Sequence, residues 1–329
     1  MRITVIGGGS WGTALVKILS ENNTARIKWW MRDKEMVQHI RTLHHNPKYL
    51  SSVEFHPSRV KAYNNLKNAL KETEWVVLAI PAAFLEEAIA ELKPKHFEGK
   101  KIVSAIKGII PSKNELVTDF MCRQFGVPLE EQAIIAGPCH AEEVAQEKQS
   151  YLTIAGPSQT VAQSFATLLA CRYVKTQAIT DIYGAEYSAI IKNIVALASG
   201  ITHGLGAGDN FQAVLISNAM LEIERVVNRA SQASRNLLSS AYLGDLLVTA
   251  YSQFSRNRAF GNMIGRGYTV HSAQLEMNMI AEGYYAVNSL YQVVKSWDLE
   301  LPIIEFTYNV LYKKNSLKKE FSILKNRLV

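Results

Sequence analysis
Six residues, Gly7-Gly8-Gly9-Ser10-Trp11-Gly12, constrain this chain more than any others. They stand directly after the apolar run Arg2–Ile6 and directly before Thr13-Ala14-Leu15, which opens a helical pattern. The glycines at 7, 9 and 12 fit G-x-G-x-x-G. In that arrangement the first glycine allows a tight turn, the second lets the backbone approach a pyrophosphate, and the third lets helix and strand pack closely. The start of the helix adds N–H donors and the positive end of its dipole. Alone, the pattern also fits a structural glycine turn. Between a first strand and a helix, with the β-rich run Arg26–Met31 following, it reads as a strand–helix–strand unit for a dinucleotide.

The alternation continues. Trp75–Ile80, Lys101–Ala105, Ala133–Ala136, Tyr151–Ala155 and Tyr173–Gln177 are β-rich runs, and Trp11–Ser20 and Phe84–Leu92 are helical patterns between them. Such alternation implies a mostly parallel sheet. After about Asp181 the strand signals fade, and helical patterns follow at Tyr183–Gly200, Phe211–Ala230, Leu243–Tyr251, Arg256–Ile264 and Gly283–Ser296. A chain of 329 residues is long enough for two cores. The expected class is α/β: a Rossmann-like doubly wound sheet domain over 1–181, then an all-helical substrate domain over 182–329.

Composition narrows the setting. The three cysteines, Cys122, Cys139 and Cys171, are odd in number and widely spaced, which speaks for a reducing, cytoplasmic environment rather than a disulfide framework. With a strand from Arg2, no signal or transit peptide is expected before the fold. Trp75–Leu85 is too short to span a bilayer and Pro81 interrupts it, so no stable membrane insertion is expected. The net charge of +7 has no basic block interleaved with aromatics, so no nucleic-acid partner is expected. The basic stretch Lys313–Arg327 reads as a solvated helix or tail.

Several residues carry candidate chemistry. The residue after the second strand selects the cofactor: an acid suits the ribose of NAD, an arginine the 2′-phosphate of NADP. Arg32 precedes Asp33 here, which tilts the reading to NADP(H) and keeps NAD(H) open; a plain surface arginine is the competing reading. Lys192 and Asn193 interrupt a helix that is apolar on nearly every face, Ser188–Ala198. A desolvated lysine there is a candidate proton donor or acceptor, or else its ammonium snorkels to the surface. Ser255-Arg256-Asn257 starts a helical pattern and fits either a phosphate seat or an ordinary capped helix. Gly204–Gly208 reads as an interhelical turn, with Asp209 capping the helix from Phe211. Cys139-His140 is adjacent in sequence and lacks a third ligand, so neither a nucleophile–base pair nor a metal site is read there, and no metal is expected.

Together these stretches resemble the bacterial NAD(P)-dependent glycerol-3-phosphate dehydrogenases nearly end to end. The similar stretches are 7–15 (GGGSWGTAL), 105–108 (AIKG), 136–138 (AGP), 141–144 (AEEV), 191–201 (IKNIVALASGI), 204–210 (GLGAGDN), 243–246 (LGDL), 255–261 (SRNRAFG) and 281–283 (AEG). The resemblance implies hydride transfer between NAD(P)H and dihydroxyacetone phosphate, giving sn-glycerol 3-phosphate for phospholipid synthesis. It implies Lys192 as proton donor, with Lys107 and Asp245 as its catalytic companions; LGDL also fits Asp245 as a helix cap. Gly7, Gly9, Ser10, Trp11, Gly12, Arg32, Lys107, Ala141, Arg256, Ile280 and Glu282 would contact cofactor. Lys107, Gly137, Cys139, Lys192, Asn193, Asp245, Ser255, Arg256 and Asn257 would contact substrate. The family usually has Ser or Thr at Cys139 and an aromatic at His140, so side-chain contact at Cys139 stays open. A homodimer is compatible with this reading. The rival readings are another two-domain, β-hydroxyacid-type dehydrogenase and a nicotinamide-sensing protein without catalysis; the presence of Lys192, Lys107 and Asp245 speaks against the second.

Overall fold
The computed structural model describes residues 1–277 and 281–329. The chain divides into two compact units: Met1–Ile106 with Val117–Ile182, and Lys107–Leu116 with Tyr183–Val329. The division differs from a single cut near 181, because the segment 107–116 leaves the α/β half and belongs with the helices.

The first unit holds an eight-stranded sheet: β1 (Arg2–Ile6), β2 (Arg26–Trp30), β3 (Val60–Tyr63), β4 (Trp75–Leu78), β5 (Lys101–Ser104), β6 (Gln132–Ala136), β7 (Ser150–Ala155) and β8 (Val174–Ile179). Their order is β3-β2-β1-β4-β5-β6-β7-β8. All neighbours are parallel except β6 and β7. The chain starts in the middle, winds out to β3 and returns past β1 to β4. The strand order therefore reverses beside β1, where open α/β sheets bind ligands. Buried on both faces, β4 is a continuous apolar run rather than an alternating one. The expected strands appear with ends shifted by one or two residues. β3 is the unanticipated one: it has four residues, lies at the sheet edge and carries the exposed Lys61, so it lacks an apolar signal.

The second unit is helical. Its axis is the 23-residue helix Ile182–Gly204, buried on all sides from Ala185 to Thr202. Around it stand helices Gly208–Ala230, Asp245–Tyr251, Arg256–Gly265, Val270–Glu276, Glu282–Val294, Pro302–Leu311 and Leu317–Lys325. Ile194, Leu197 and Ile201 share a core with Ile223, Leu246, Phe260, Leu290 and Ile304. One expectation is corrected here. Asp209 does not cap: the second helix already starts at Gly208, after Ala207. The basic C-terminal stretch includes the helix Leu317–Lys325, exposed along most of its length as expected, with Glu320 and Leu324 buried.

One crossing in this unit is set by four glycines. A Cβ on Gly200 would stand 2.1 Å from the Arg258 carbonyl oxygen, and one on Gly204 would stand 2.5 Å from that of Asn262. Reciprocally, Cβ atoms on Gly261 and Gly265 would each come within 2.2 Å of the Leu197 and Ile201 oxygens. Only glycine permits this backbone-to-backbone approach. It draws the helix bearing Lys192 against the helix that opens with Arg256 and Asn257.

Candidate active site
The glycine-rich loop of the first unit has the shape its sequence predicts, for distinct reasons at each glycine. Gly7 has φ +133°, and a Cβ there would lie 2.1 Å from the Ala79 oxygen on the neighbouring strand's end. A Cβ on Gly12 would lie 2.2 Å from the Gly7 oxygen, where the helix Ser10–Glu21 meets the strand. Among the described residues, a Cβ on Gly9 would meet nothing within 4 Å. Two glycines thus serve close packing and one faces open space. No side chain caps the helix at Gly9. Beside the loop is a cavity of about 500 Å³, whose walls include Gly7, Gly8, Arg32, Ile80, Pro81 and Phe84. An uncapped helix start, an open glycine and an adjoining cavity fit a dinucleotide.

Arg32 lies on the wall of that cavity, with its side chain exposed and 3.5 Å from Glu87. Asp33 is engaged otherwise. Its carboxylate accepts from the Glu35 and Met36 N–H groups as the cap of helix Lys34–Leu43, and Lys48 Nζ is 2.7 Å away. These bonds hold the Asp33 carboxyl below the usual range. Gly137 (φ +106°), Cys139 and Ala141 lie on the β6–β7 connection of the same unit. The side chains of Cys139 and Ala141 pack into its hydrophobic core.

The second unit gathers the charged residues. Lys192 is 3 % exposed and Asp245 is 1 % exposed, and Lys192 Nζ donates to Asp245 Oδ1. The lysine therefore does not snorkel. Lys107 Nζ is 3.9 Å from Asp245 Oδ2, so one buried carboxylate faces two ammonium groups. Asp245 is the first residue of the helix Asp245–Tyr251, straight after a π-helical turn, Ser240–Gly244, and the cap position is Gly244. Its carboxylate faces the two lysines. Asn193 Nδ2 donates to the Lys107 carbonyl at 3.2 Å, tying the 107–116 segment to the central helix. Ser255 caps its helix by accepting from the Arg258 N–H. The buried Asn257 accepts from the Gly283 N–H at 2.9 Å, and a Cβ on Gly283 would lie 2.6 Å from the Asn193 oxygen. Lys107, Lys192, Asn193, Asp245, Ser255, Asn257 and Gly283 are thus joined through direct contacts or shared helices.

The electrostatics follow from burial. Desolvation lowers the Lys192 ammonium to about 7; the Asp245 charge opposes that shift and Lys107 adds to it. The partly buried Glu282 carboxyl is raised by desolvation, while the charges of Lys107, Arg256 and Lys192 pull it back down. A lysine that exchanges its proton near neutrality, held against a carboxylate and flanked by a second cation, can protonate an oxyanion and stabilise it. Ile280 lies outside the described residues. Among the described residues, no cluster of three or more metal-ligating side chains occurs. Sequence reading passed over Trp29, Asn46 and Thr13 around the glycine loop. No local pattern marks Trp29 and Asn46, because their partners are distant in the chain.

The chain is similar to known proteins along nearly its whole length. Residues 2–162 match the model of the NAD-dependent glycerol-3-phosphate dehydrogenase N-terminus, and residues 181–322 match that of its C-terminus. The glycerol-3-phosphate dehydrogenase [NAD(P)+] of Bacillus cereus is 32% identical over 328 residues, covering 99% of this chain and 96% of that protein. That of an Exiguobacterium species is 36% identical, covering 99% and 95%. The crystal structure of glycerol-3-phosphate dehydrogenase from Coxiella burnetii is similar at 27% identity with a TM-score of 0.92, over 99% of each chain.

Proposed function
The chain belongs to the NAD-dependent glycerol-3-phosphate dehydrogenase family, and we propose that it interconverts dihydroxyacetone phosphate and sn-glycerol 3-phosphate with Lys192 as the proton donor and acceptor. The observation that carries this is the buried Lys192–Asp245 pair with Lys107 beside it. A bound NAD(P)H supplies the hydride. As negative charge grows on the carbonyl oxygen, Lys192 gives it a proton and Lys107 stabilises what charge remains. Asp245 keeps the Lys192 ammonium oriented and partly offsets the cost of burying it. In the reverse direction neutral Lys192 takes the hydroxyl proton.

Arg256, Asn257 and the Ser255-capped helix start are suited to the substrate phosphate. The Arg fork binds phosphate oxygens bidentately, and the Asn257 amide has donors left after its oxygen accepts from Gly283. Gly137 and Cys139 would add contacts to the substrate, the cysteine through its backbone, because its side chain packs in a core. On the cofactor side, Gly7, Gly9, Ser10, Trp11 and Gly12 would hold the pyrophosphate, with Ala141 and Glu282 as further contacts. Arg32 favours NADP(H): it borders the cavity, whereas Asp33, committed to its helix cap and Lys48, is ill placed to bind a ribose. The product would feed phospholipid synthesis. Cys122, Cys139 and Cys171 form no disulfide, which suits a cytoplasmic setting.

Steady-state oxidation of NADPH and of NADH on adding dihydroxyacetone phosphate tests the reading. Turnover with both, with the higher kcat/KM for NADPH, is expected; no turnover with either would overturn it.

A further inference from the structure
Three consecutive carbonyl oxygens of the glycine-rich loop each receive a buried side-chain donor. Trp29 Nε1 donates to Gly7 O at 2.7 Å, Asn46 Nδ2 to Gly8 O at 3.0 Å, and Thr13 Oγ1 to Gly9 O at 2.9 Å. Asn46 also donates to Thr13 Oγ1 at 2.9 Å, so two of the three clamps are joined. All three side chains are fully buried, at 0 % exposure. Asn46 is further tied by its oxygen, which accepts from the Lys48 and Tyr49 N–H groups. It belongs to a turn that leaves the helix Lys34–Leu43 through the left-handed His44, and Lys48 Nζ on the same turn bonds Asp33.

We propose that Asn46 is a positioning residue for the cofactor, holding the glycine loop in its pyrophosphate-binding form before the cofactor arrives. The inference rests on the reading of that loop as the dinucleotide site. In a trans peptide the C=O and the following N–H point in opposite directions. Fixing Gly8 O toward Asn46 therefore fixes the Gly9 N–H the other way, and among the described residues that N–H has no hydrogen-bond acceptor. Fixing Gly9 O through Thr13 does the same for the next peptide. Gly9 is also the glycine whose Cβ direction is open. A glycine-rich loop is otherwise the most conformationally free segment of a chain, and ordering it at the moment of binding would subtract from affinity. The clamps move that ordering into folding.

The decisive variant is Asn46→Asp. It keeps the acceptor for Lys48 and Tyr49, hence the turn, and removes both donated bonds. NADPH binding is read by quenching of protein fluorescence, and kcat at saturating NADPH by absorbance. The expected result is a Kd raised about tenfold, the scale of one or two lost hydrogen bonds, with kcat within twofold and an unchanged KM for dihydroxyacetone phosphate. Thr13→Val, which removes the hydroxyl that joins the two clamps, should raise Kd in the same way and carries the test if the aspartate variant does not fold. A wild-type Kd in the folded variants, or a lower kcat at unchanged Kd, would overturn the clamp. Wild-type protein that binds neither NADPH nor NADH would instead overturn the reading of the loop.

Discussion
The glycine loop of the first unit and the lysine–aspartate cluster of the second achieve precision by opposite means. The loop is backbone, held by neutral donors on its own carbonyls, with glycine wherever a side chain would collide. The cluster is charge, Lys192 and Asp245 desolvated together with Lys107 beside them. Geometry alone suffices to hold a pyrophosphate, whose charge the N–H donors meet. Proton transfer needs a group whose two states are close in energy, and burial brings a lysine to that balance. The two regions should therefore fail differently when altered: the loop in affinity or folding, the cluster in turnover.

The largest separation is expected from Lys192→Ala. Turnover should fall by roughly 10²–10⁴-fold, the range for losing a general acid–base group, while NADPH binds within a few-fold of the wild type. Near-normal turnover would remove Lys192 from the chemistry. A large loss of NADPH binding would break the contrast between the regions.

The next effect divides the loop against itself. Gly7→Ala places a methyl 2.1 Å from the Ala79 oxygen at φ +133°, so backbone must move. A cost of about 1–3 kcal/mol is expected, visible as several degrees lost in Tm. Gly9→Ala meets nothing among the described residues and should melt like the wild type, yet bind NADPH at least about tenfold more weakly because the methyl occupies the approach of the pyrophosphate. Equal Tm losses for the two variants would contradict the division of roles.

These contrasts also explain what could be read from the chain. The glycine loop was legible because its determinants lie within a dozen residues, and strand periodicity placed it. The clamps were not, since Trp29 and Asn46 reach it across 22 and 38 residues. The apolar helix around Lys192 was legible as buried, but whether the ammonium snorkels depended on Asp245, 53 residues away. The 107–116 segment follows a regular strand, so only tertiary contacts reveal that it joins the helical unit. The β3 edge strand and the true start of the helix at Gly208 were missed for local reasons: one has too little apolar sequence, the other begins on glycine.

The smallest expected effect is on stability. Folding lowers Lys192 from an ordinary 10.5 to about 7, so between those values the unfolded chain holds a proton that the folded chain lacks. Stability gains a positive contribution as pH rises through that window. Lys192→Met should flatten the dependence of unfolding free energy on pH there, by at most about 1.4 kcal/mol per pH unit. An unchanged slope would mean that the lysine is not desolvated in solution.

The central claim, that Lys192 is the proton donor and acceptor, is tested most directly by kcat/KM against pH in both directions on the wild-type protein. The account predicts that reduction of dihydroxyacetone phosphate falls as pH rises past about 7 while oxidation of sn-glycerol 3-phosphate rises, both governed by one group. Two profiles that stay flat from pH 6 to about 9, where a desolvated lysine must titrate, would contradict it.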